Sequence, residues 1–229
     1  MNYLRAAFGW LAEPSNWGGA GGIMARLGQH LAVTAIAVGV AVLIAVPVGI
    51  VVGHTRRGAG VVGAVAGAAR AIPTLGLLTL FALWLGIGLQ APLLALVILA
   101  IPSALAGTYA GIQAVDPAIS DAARAIGMDE FRIVWQVEIP LGAPVIIGGV
   151  RAATLQVVAT ATLAAYVADN GLGRYLFIGL KTRDYAQMVG GALLVIMLAL
   201  VLEIVLASIQ RLVSVRVTNP QRFAVGKGK

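Results

Sequence analysis

The chain has 229 residues, 60% hydrophobic and 11% charged, with a mean hydropathy of +0.95 and a net charge of +7. A soluble domain of this length cannot clothe a core with so few polar residues, and the lack of cysteine excludes disulfides and thiolate metal sites. The basic balance comes without the Lys/Arg stripe and interleaved aromatics of nucleic-acid binding, and it fits the positive-inside bias of membrane proteins.

Apolar runs of about 18 residues or more, enough to cross a bilayer as helix, recur along the chain. They do not alternate polar with apolar, which argues against a barrel. Residues 1–26 read as an N-terminal interfacial segment. Within it 3–12 form a short amphipathic helix, and Tyr3, Phe8, Trp10 and Trp17 suit a membrane interface. This segment does not read as a cleaved signal peptide, having no basic region leading into an apolar one of the usual length. Gly18-Gly19-Ala20-Gly21-Gly22 is a flexible break and not a phosphate loop, since no Lys-Ser/Thr follows at Walker spacing.

The transmembrane domain is expected over 27–212. Its first span covers 27–53 and closes at His54-Thr55-Arg56-Arg57. Residues 58–89 would make a helix of roughly 48 Å, against about 30 Å of hydrocarbon. With Pro73 inside, a kinked or broken second span is expected, because division leaves 58–71 too short to cross. A third span covers 92–112, a polar segment 113–140, and a fourth span 141–167. A loop over 168–186 holds Asp169, Arg174, Lys181, Arg183 and Asp184, and a fifth span covers 188–209. A basic tail, 213–229, follows with Arg216, Arg222, Lys227 and Lys229. Five spans put the termini on opposite sides. With the N-terminus outside, the inner side collects Arg56, Arg57, Arg124, Arg132 and the tail cations, more than the outer Arg5, Arg26, Arg174, Lys181 and Arg183. No internal repeat is obvious, which weakens a secondary transporter of inverted repeats.

The polar segment 113–140 is the informative one. Asp116 suits an N-cap and Pro117 the first helical position. Residues 117–126 read as a short helix that Gly127 ends in the left-handed conformation. Asp129 caps a second short helix in which Phe131, Val134 and Trp135 share a face, and Pro140 stops it. Ala122 and Ala123 are small enough for another protein's surface to approach, with Asp121, Arg124, Asp129 and Glu130 around them. A two-capped hairpin of this length between spans has the look of a docking element, its bland alternative being a surface loop.

These residues resemble the cytoplasmic motif of permease subunits in binding-protein-dependent ABC importers: E-A-A, three residues, Gly, nine residues, I-x-L-P. Here Asp121-Ala122-Ala123 is followed at that spacing by Gly127 and then by Val137-Glu138-Ile139-Pro140. Asp stands for Glu, Val for Ile and Ile for Leu. The resemblance runs from about His30 to Arg211 and looks closest to osmoprotectant permeases, through Ile72-Pro73, Ile101-Pro102, Thr108-Tyr109-Ala110-Gly111-Ile112, Arg151-Ala152-Ala153 and Gly190-Gly191-Ala192. Ala106-Gly107 departs from that subgroup's Arg-Asn, and Arg70-Ala71 looks more like methionine permeases.

The resemblance implies an all-α membrane protein of methionine-permease-like fold, with about five transmembrane helices, or six segments if 58–89 divides. It implies a cytoplasmic helix–turn–helix, 113–140, whose Asp121, Ala122, Ala123, Gly127, Val137, Ile139 and Pro140 couple the chain to a separate ATP-binding cassette ATPase. ATP and Mg would be bound by that partner, with no cofactor, metal or catalytic residue on this chain. The other implied partners are a second permease copy or paralogue, an extracellular solute-binding protein and membrane lipid. The implied cargo is glycine betaine, choline, carnitine or proline, the alternative being methionine or another amino acid. A channel or secondary transporter is a more distant reading, and a membrane enzyme is poorly served by two separated histidines.

Two intramembrane charges are candidate pathway residues. Arg70 either faces the pathway or snorkels to an interface near the Pro73 kink, and Glu203 either meets solute or pairs with a cation of a neighbouring helix. His30 and His54, at opposite ends of the first span, read as interfacial. Tyr109, Tyr166, Trp84 and Trp135 show no spacing of a cation cage and are assigned to packing and interface. Gly171-Leu172-Gly173 reads as an outer turn that meets the binding protein.

Overall fold

The computed structural model describes residues 2–218, apart from the side chains at 69, 70 and 216–218. The basic tail from 219 onward, with Arg222, Lys227 and Lys229, lies outside the described residues. Helices follow one another as α1 (Asn2–Ala12), α2 (Ile23–Thr55), α3 (Ala59–Ala71), α4 (Thr74–Leu85), α5 (Gln90–Gln113), α6 (Pro117–Ala125), α7 (Glu130–Ile133), α8 (Ile139–Ala164), α9 (Gly173–Thr182) and α10 (Tyr185–Thr218). A π-helical turn, Val134–Glu138, joins α7 to α8.

Among the described residues four helices are long and apolar enough to cross a bilayer: α2, α5, the continuous run Glu130–Ala164, and α10. The segment 58–89 is not one bent span. It divides at Ile72-Pro73 into α3 and α4, of 13 and 12 residues, each short of the roughly 20 that a crossing needs. Proline lacks the N–H that would continue α3 and biases Ile72 away from helix. Pro73 is extended (ψ 112°), and its carbonyl accepts the first bond of α4, from Leu77 N at 2.9 Å.

Pro140 behaves in the opposite way. It was expected to stop the hairpin's second helix, yet the helix runs through it into α8. The preceding turn is wound as π, with Ile139 N–H bonded to Val134 O five residues back. The wider turn relieves the clash between a proline ring and the carbonyl four residues earlier. The loop expected over 168–186 also contains an element not foreseen, α9.

The chain divides into two compact units, each drawn from three stretches of sequence. Of the described residues, the first comprises 2–41, 70–100 and 154–202. Ile23, Val158, Leu172, Tyr175, Val195 and Leu198 form its core, with Trp10 and Leu27 packed on it. Trp10 meets Tyr175 edge-on at 5.1 Å, and the Tyr175 hydroxyl donates to Gly21 O at 2.8 Å. Burial raises the pKa of that phenol still further above neutrality. The glycine-rich break is thus an ordered turn, tied also by Trp17 Nε1 donating to Leu11 O at 2.7 Å.

Of the described residues, the second unit comprises 42–69, 101–153 and 203–218. Its centre is a backbone-to-backbone crossing of α5 and α8. A Cβ at Gly107 would lie 2.3 Å from the Cα of Gly149, and one at Gly142 would lie 2.5 Å from the carbonyl oxygen of Gly111. Small residues let membrane helices approach until dispersion contacts and weak backbone interactions hold them, since lipid supplies no hydrophobic drive between helices. Overpacking such a contact costs about 1–3 kcal/mol or more. Gly107→Leu is expected to lower the melting temperature and the monodisperse yield in detergent, while a leucine at Gly60, where the backbone is open, leaves both near the parent. Size-exclusion chromatography and a thermal melt of the two variants check this.

Candidate functional site

The hairpin between α5 and α8 lies wholly in the second unit. The Asp116 side chain accepts from Ala118 N at 2.9 Å and Pro117 opens α6. At the other end Gly127 has φ +89°, its N–H bonds Arg124 O at 2.9 Å, and Met128 N bonds Ala123 O at 3.1 Å. This pair of bonds is the Schellman closure, which needs a left-handed residue and is why glycine stands there. Asp129 caps the next turn by accepting from Arg132 N at 2.9 Å.

The two faces of α6 differ. Ser120 and Ala123, three residues apart, are buried, while Asp121, Ala122, Arg124 and Ala125 are exposed. Ala123 therefore packs inward and is not part of an approachable surface, because the helical period places it beside Ser120. Of the two alanines only Ala122 lies on the outer face. Ile126, 80% exposed, stands beside Gly127 at the tip, and Phe131 and Trp135 are also exposed. Val137 and Ile139 are half-buried and Pro140 is exposed. Phe131, Val134 and Trp135 share a face as expected, and with Val46, Pro47, Ile50 and Val51 of α2 they line an open apolar groove of about 450 Å³.

A ring of polar contacts runs from the exposed side of α6 round to its buried side. Arg124 donates from Nε and Nη2 to the two oxygens of Glu130, at 2.7 and 3.0 Å, and from Nη1 to Asp121 at 2.8 Å. The hydrogen bond to Glu130 is the main reason the Arg124 guanidinium sits above its already high ordinary pKa, with Asp121 adding to it. Glu130 Oε2 lies 3.2 Å from His54 Nε2, and His54 Nδ1 lies 2.8 Å from Glu138 Oε2. Ser120 Oγ donates to Glu138 Oε1 at 3.1 Å, which returns the ring to α6. Close by, Gln113 Nε2 donates to Gly53 O at 3.0 Å and Arg56 Nη2 to Val115 O at 3.3 Å, fastening the end of α2 to the end of α5. His54, Glu138, Ser120, Gln113 and Arg56 were not singled out from sequence as a group. Partners separated by 84 residues leave no spacing signal, and only the acid at the x position of the motif hinted at one.

Comparison with known proteins places this geometry. Residues 45–219 match the family model of the binding-protein-dependent transport system inner membrane component. The chain belongs to that family. Among its relatives are the choline transport system permease protein OpuBB of Bacillus subtilis (strain 168), 36% identical over 83% of this chain and 88% of the relative, and the glycine betaine/carnitine/choline transport system permease protein OpuCB of the same organism, 34% identical over 85% and 89%. The osmoprotectant import permease protein OsmW of Salmonella typhimurium is 31% identical over 80% and 87%. Among solved structures, an inward-facing MetNI methionine ABC transporter aligns with a TM-score of 0.72 at 22% identity, covering 83% of this chain and 95% of that one. That likeness bears on the fold, which is therefore the methionine-permease type. The chain is a multi-pass inner membrane transport subunit of ABC importer type.

The remaining sequence candidates of this permease fall elsewhere. The side chain of Arg70 lies outside the described residues. Glu203 of α10 faces Arg151 of α8, whose Nε is 2.8 Å from Glu203 Oε2 and whose Nη2 meets Oε1. Arg151 Nη1 also donates to Gln210 at 2.9 Å, and Gln210 donates to Pro144 O at 2.9 Å. His30 is buried in the protein, 1% exposed, and bonded through Nε2 to Val158 O at 3.0 Å. Gly171 (φ +73°) packs on the His30 ring and Leu172 is fully buried, so this turn is core more than contact surface. Arg26, with Asp169 at 2.9 Å, pins it, and Arg174 joins the same carboxylate at 3.0 Å. Tyr166 stacks near Phe177 and Trp135 near Phe131.

Two outcomes follow from this geometry. Gly127→Val forces a β-branched residue into the left-handed region at a cost of about 1–2 kcal/mol, and faster amide exchange across 117–130 is expected. Arg151→Ala leaves Glu203 without its partner in an apolar helix and is expected to lower membrane yield, whereas Arg151→Gln with Glu203→Gln recovers most of it. Membrane yield of the single and double variants measures this.

Proposed function

We propose that this chain is the permease subunit of an ATP-driven importer for a small osmoprotectant such as glycine betaine, choline or carnitine, and that the hairpin 113–140 is where a separate ATP-binding cassette ATPase docks. The observation that carries the docking reading is the asymmetry of α6 and its turn. The outward face is small and charged with an apolar tip at Ile126, while the inward face is tied down through Ser120 and Ala123. The substrate class rests on the permeases of Bacillus subtilis and Salmonella typhimurium that this chain resembles over most of its length. Methionine transport is the second reading, favoured by fold likeness alone.

In this reading the hairpin is cytoplasmic. The C-terminal half of α10 packs in the same unit as the hairpin, which supports a cytoplasmic C-terminus; with the broken pair α3 and α4 together making one crossing beside the four long spans, the N-terminus lies outside. Two permease subunits form the pathway. ATP closes the ATPase dimer, the docked hairpins follow as levers, and the pathway opens toward a loaded binding protein. Hydrolysis resets it. The chain supplies two states whose balance its partners bias, which is population shift and not catalysis.

The test is reconstitution of the permease with its ATPase and binding protein in vesicles. Choline or glycine betaine uptake is expected to require ATP and to be competed by trimethylammonium compounds, not by methionine. Uptake by the permease alone, driven by an ion gradient, would overturn the reading. Gly127→Val is expected to retain ATPase activity but to lose at least about tenfold in uptake per ATP, because the docking tip no longer holds its shape.

A further inference from the structure

Glu138 is the one carboxylate of the hairpin that the docking reading does not use. It is 5% exposed, and it stands where the surrounding turn presents apolar residues such as Ile133 and Val137. A carboxylate taken out of water is costly unless it is paired and hydrogen-bonded, and packing alone would be better served by leucine. Its two oxygens go to two different elements: Oε1 to Ser120 Oγ of α6 at 3.1 Å, and Oε2 to His54 Nδ1 in the last turn of α2 at 2.8 Å.

The π turn is what aims it there. Ile133 and Glu138, five residues apart, are both buried. In a continuous α-helix of 3.6 residues per turn those positions point about 140° apart. An i→i+5 turn brings them to one side, and such turns concentrate at functional positions. The same winding accommodates Pro140, so one local device both continues the helix and turns a carboxylate inward.

His54 completes the joint. Both its ring nitrogens face carboxylate oxygens, Glu138 at 2.8 Å and Glu130 at 3.2 Å, so the ring stands between the π turn and α7. The other polar groups around the small cavity here are Asp121 and Arg124 from α6, Thr55 from α2 and Arg56 just beyond it. Arg124 is already engaged by Glu130 and Asp121 and Arg56 by Val115 O, which leaves His54 as the side chain of α2 that meets Glu138.

We propose that Glu138 is a positioning residue of the transport cycle: held by Ser120 and His54, it fastens the inner face of α6 to the end of α2, so that displacement of the hairpin moves the first span with it. The proposal rests on the reading of α6 as the ATPase-docking helix. It assigns the transmission step to a named contact, separate from the docking surface, since Glu138 and Ser120 are buried and their removal leaves the outer face of α6 intact.

Wild type, Ser120→Ala, Glu138→Gln, His54→Gln and the double variant His54→Gln/Glu138→Gln would each be co-expressed with the ATPase and reconstituted with the binding protein. The readouts are ATPase co-purification, size-exclusion profile, and ATP hydrolysed per choline or glycine betaine imported. The ATPase is expected to co-purify with every variant in a monodisperse complex. The ATP-per-solute ratio is expected to rise about fivefold or more in Glu138→Gln and His54→Gln and less in Ser120→Ala. The double variant is expected to be no worse than either single one, as contacting residues are non-additive. Wild-type ratios in Ser120→Ala and Glu138→Gln would overturn the proposal, as would multiplying effects in the double variant or loss of the ATPase from the complex. If wild type itself neither retains an ATPase nor shows ATP-dependent uptake, the importer reading has failed, and the joint falls with it.

Discussion

Backbone hydrogen bonding within hydrocarbon governs this chain, since a spanning segment must satisfy its own N–H and C=O groups. Proline is the residue that tests the constraint, and two prolines resolve it in opposite ways. At Pro73 the helix breaks, and α3 and α4 remain as short pieces. At Pro140 the helix continues through a π turn. At the second site Glu138, two residues before Pro140, is held inward by Ser120 and His54.

Within the second unit, small residues and polar pairs divide the work of holding helices together. Gly107 and Gly149 let α5 and α8 touch backbone to backbone, and Arg151 with Glu203 and Gln210 ties α8 to α10. In the first unit His30 bonds α2 to α8 through Val158 O, while Arg26 and Asp169 fix the turn before α9. None of these contacts depends on hydrophobic drive between helices, which lipid does not provide. Each carries direction instead, and direction is what a helix needs if it is to move as one body.

The hairpin joins these themes. Its outer face consists of small, charged and tip apolar residues, and its inner face is fastened through Ser120, Glu138 and His54, with Glu130 linking His54 to Arg124 on the exposed side. A surface loop with only caps would present the same outer face but would flex against the spans. A lever needs the inner fastening, and the buried carboxylate of Glu138 is the most costly part of it. Glu138 itself touches none of the exposed residues of α6.

The amino-acid sequence alone determined that the chain is helical and membrane-embedded, because apolar runs longer than a bilayer allow nothing else. It determined the hairpin too: Asp116, Pro117, Gly127 and Asp129 act within four residues of themselves, so their chemistry is legible locally. The motif from Asp121 to Pro140 was legible for the same reason. The tertiary structure decided what depends on partners far along the chain. It turned Ala123 inward, buried His30, matched Glu203 with Arg151, ran the helix through Pro140 and closed a ring between His54 and Glu138. Those outcomes follow from which helix faces meet, and a side chain separated by 84 residues from its partner carries no trace of that meeting in its neighbours.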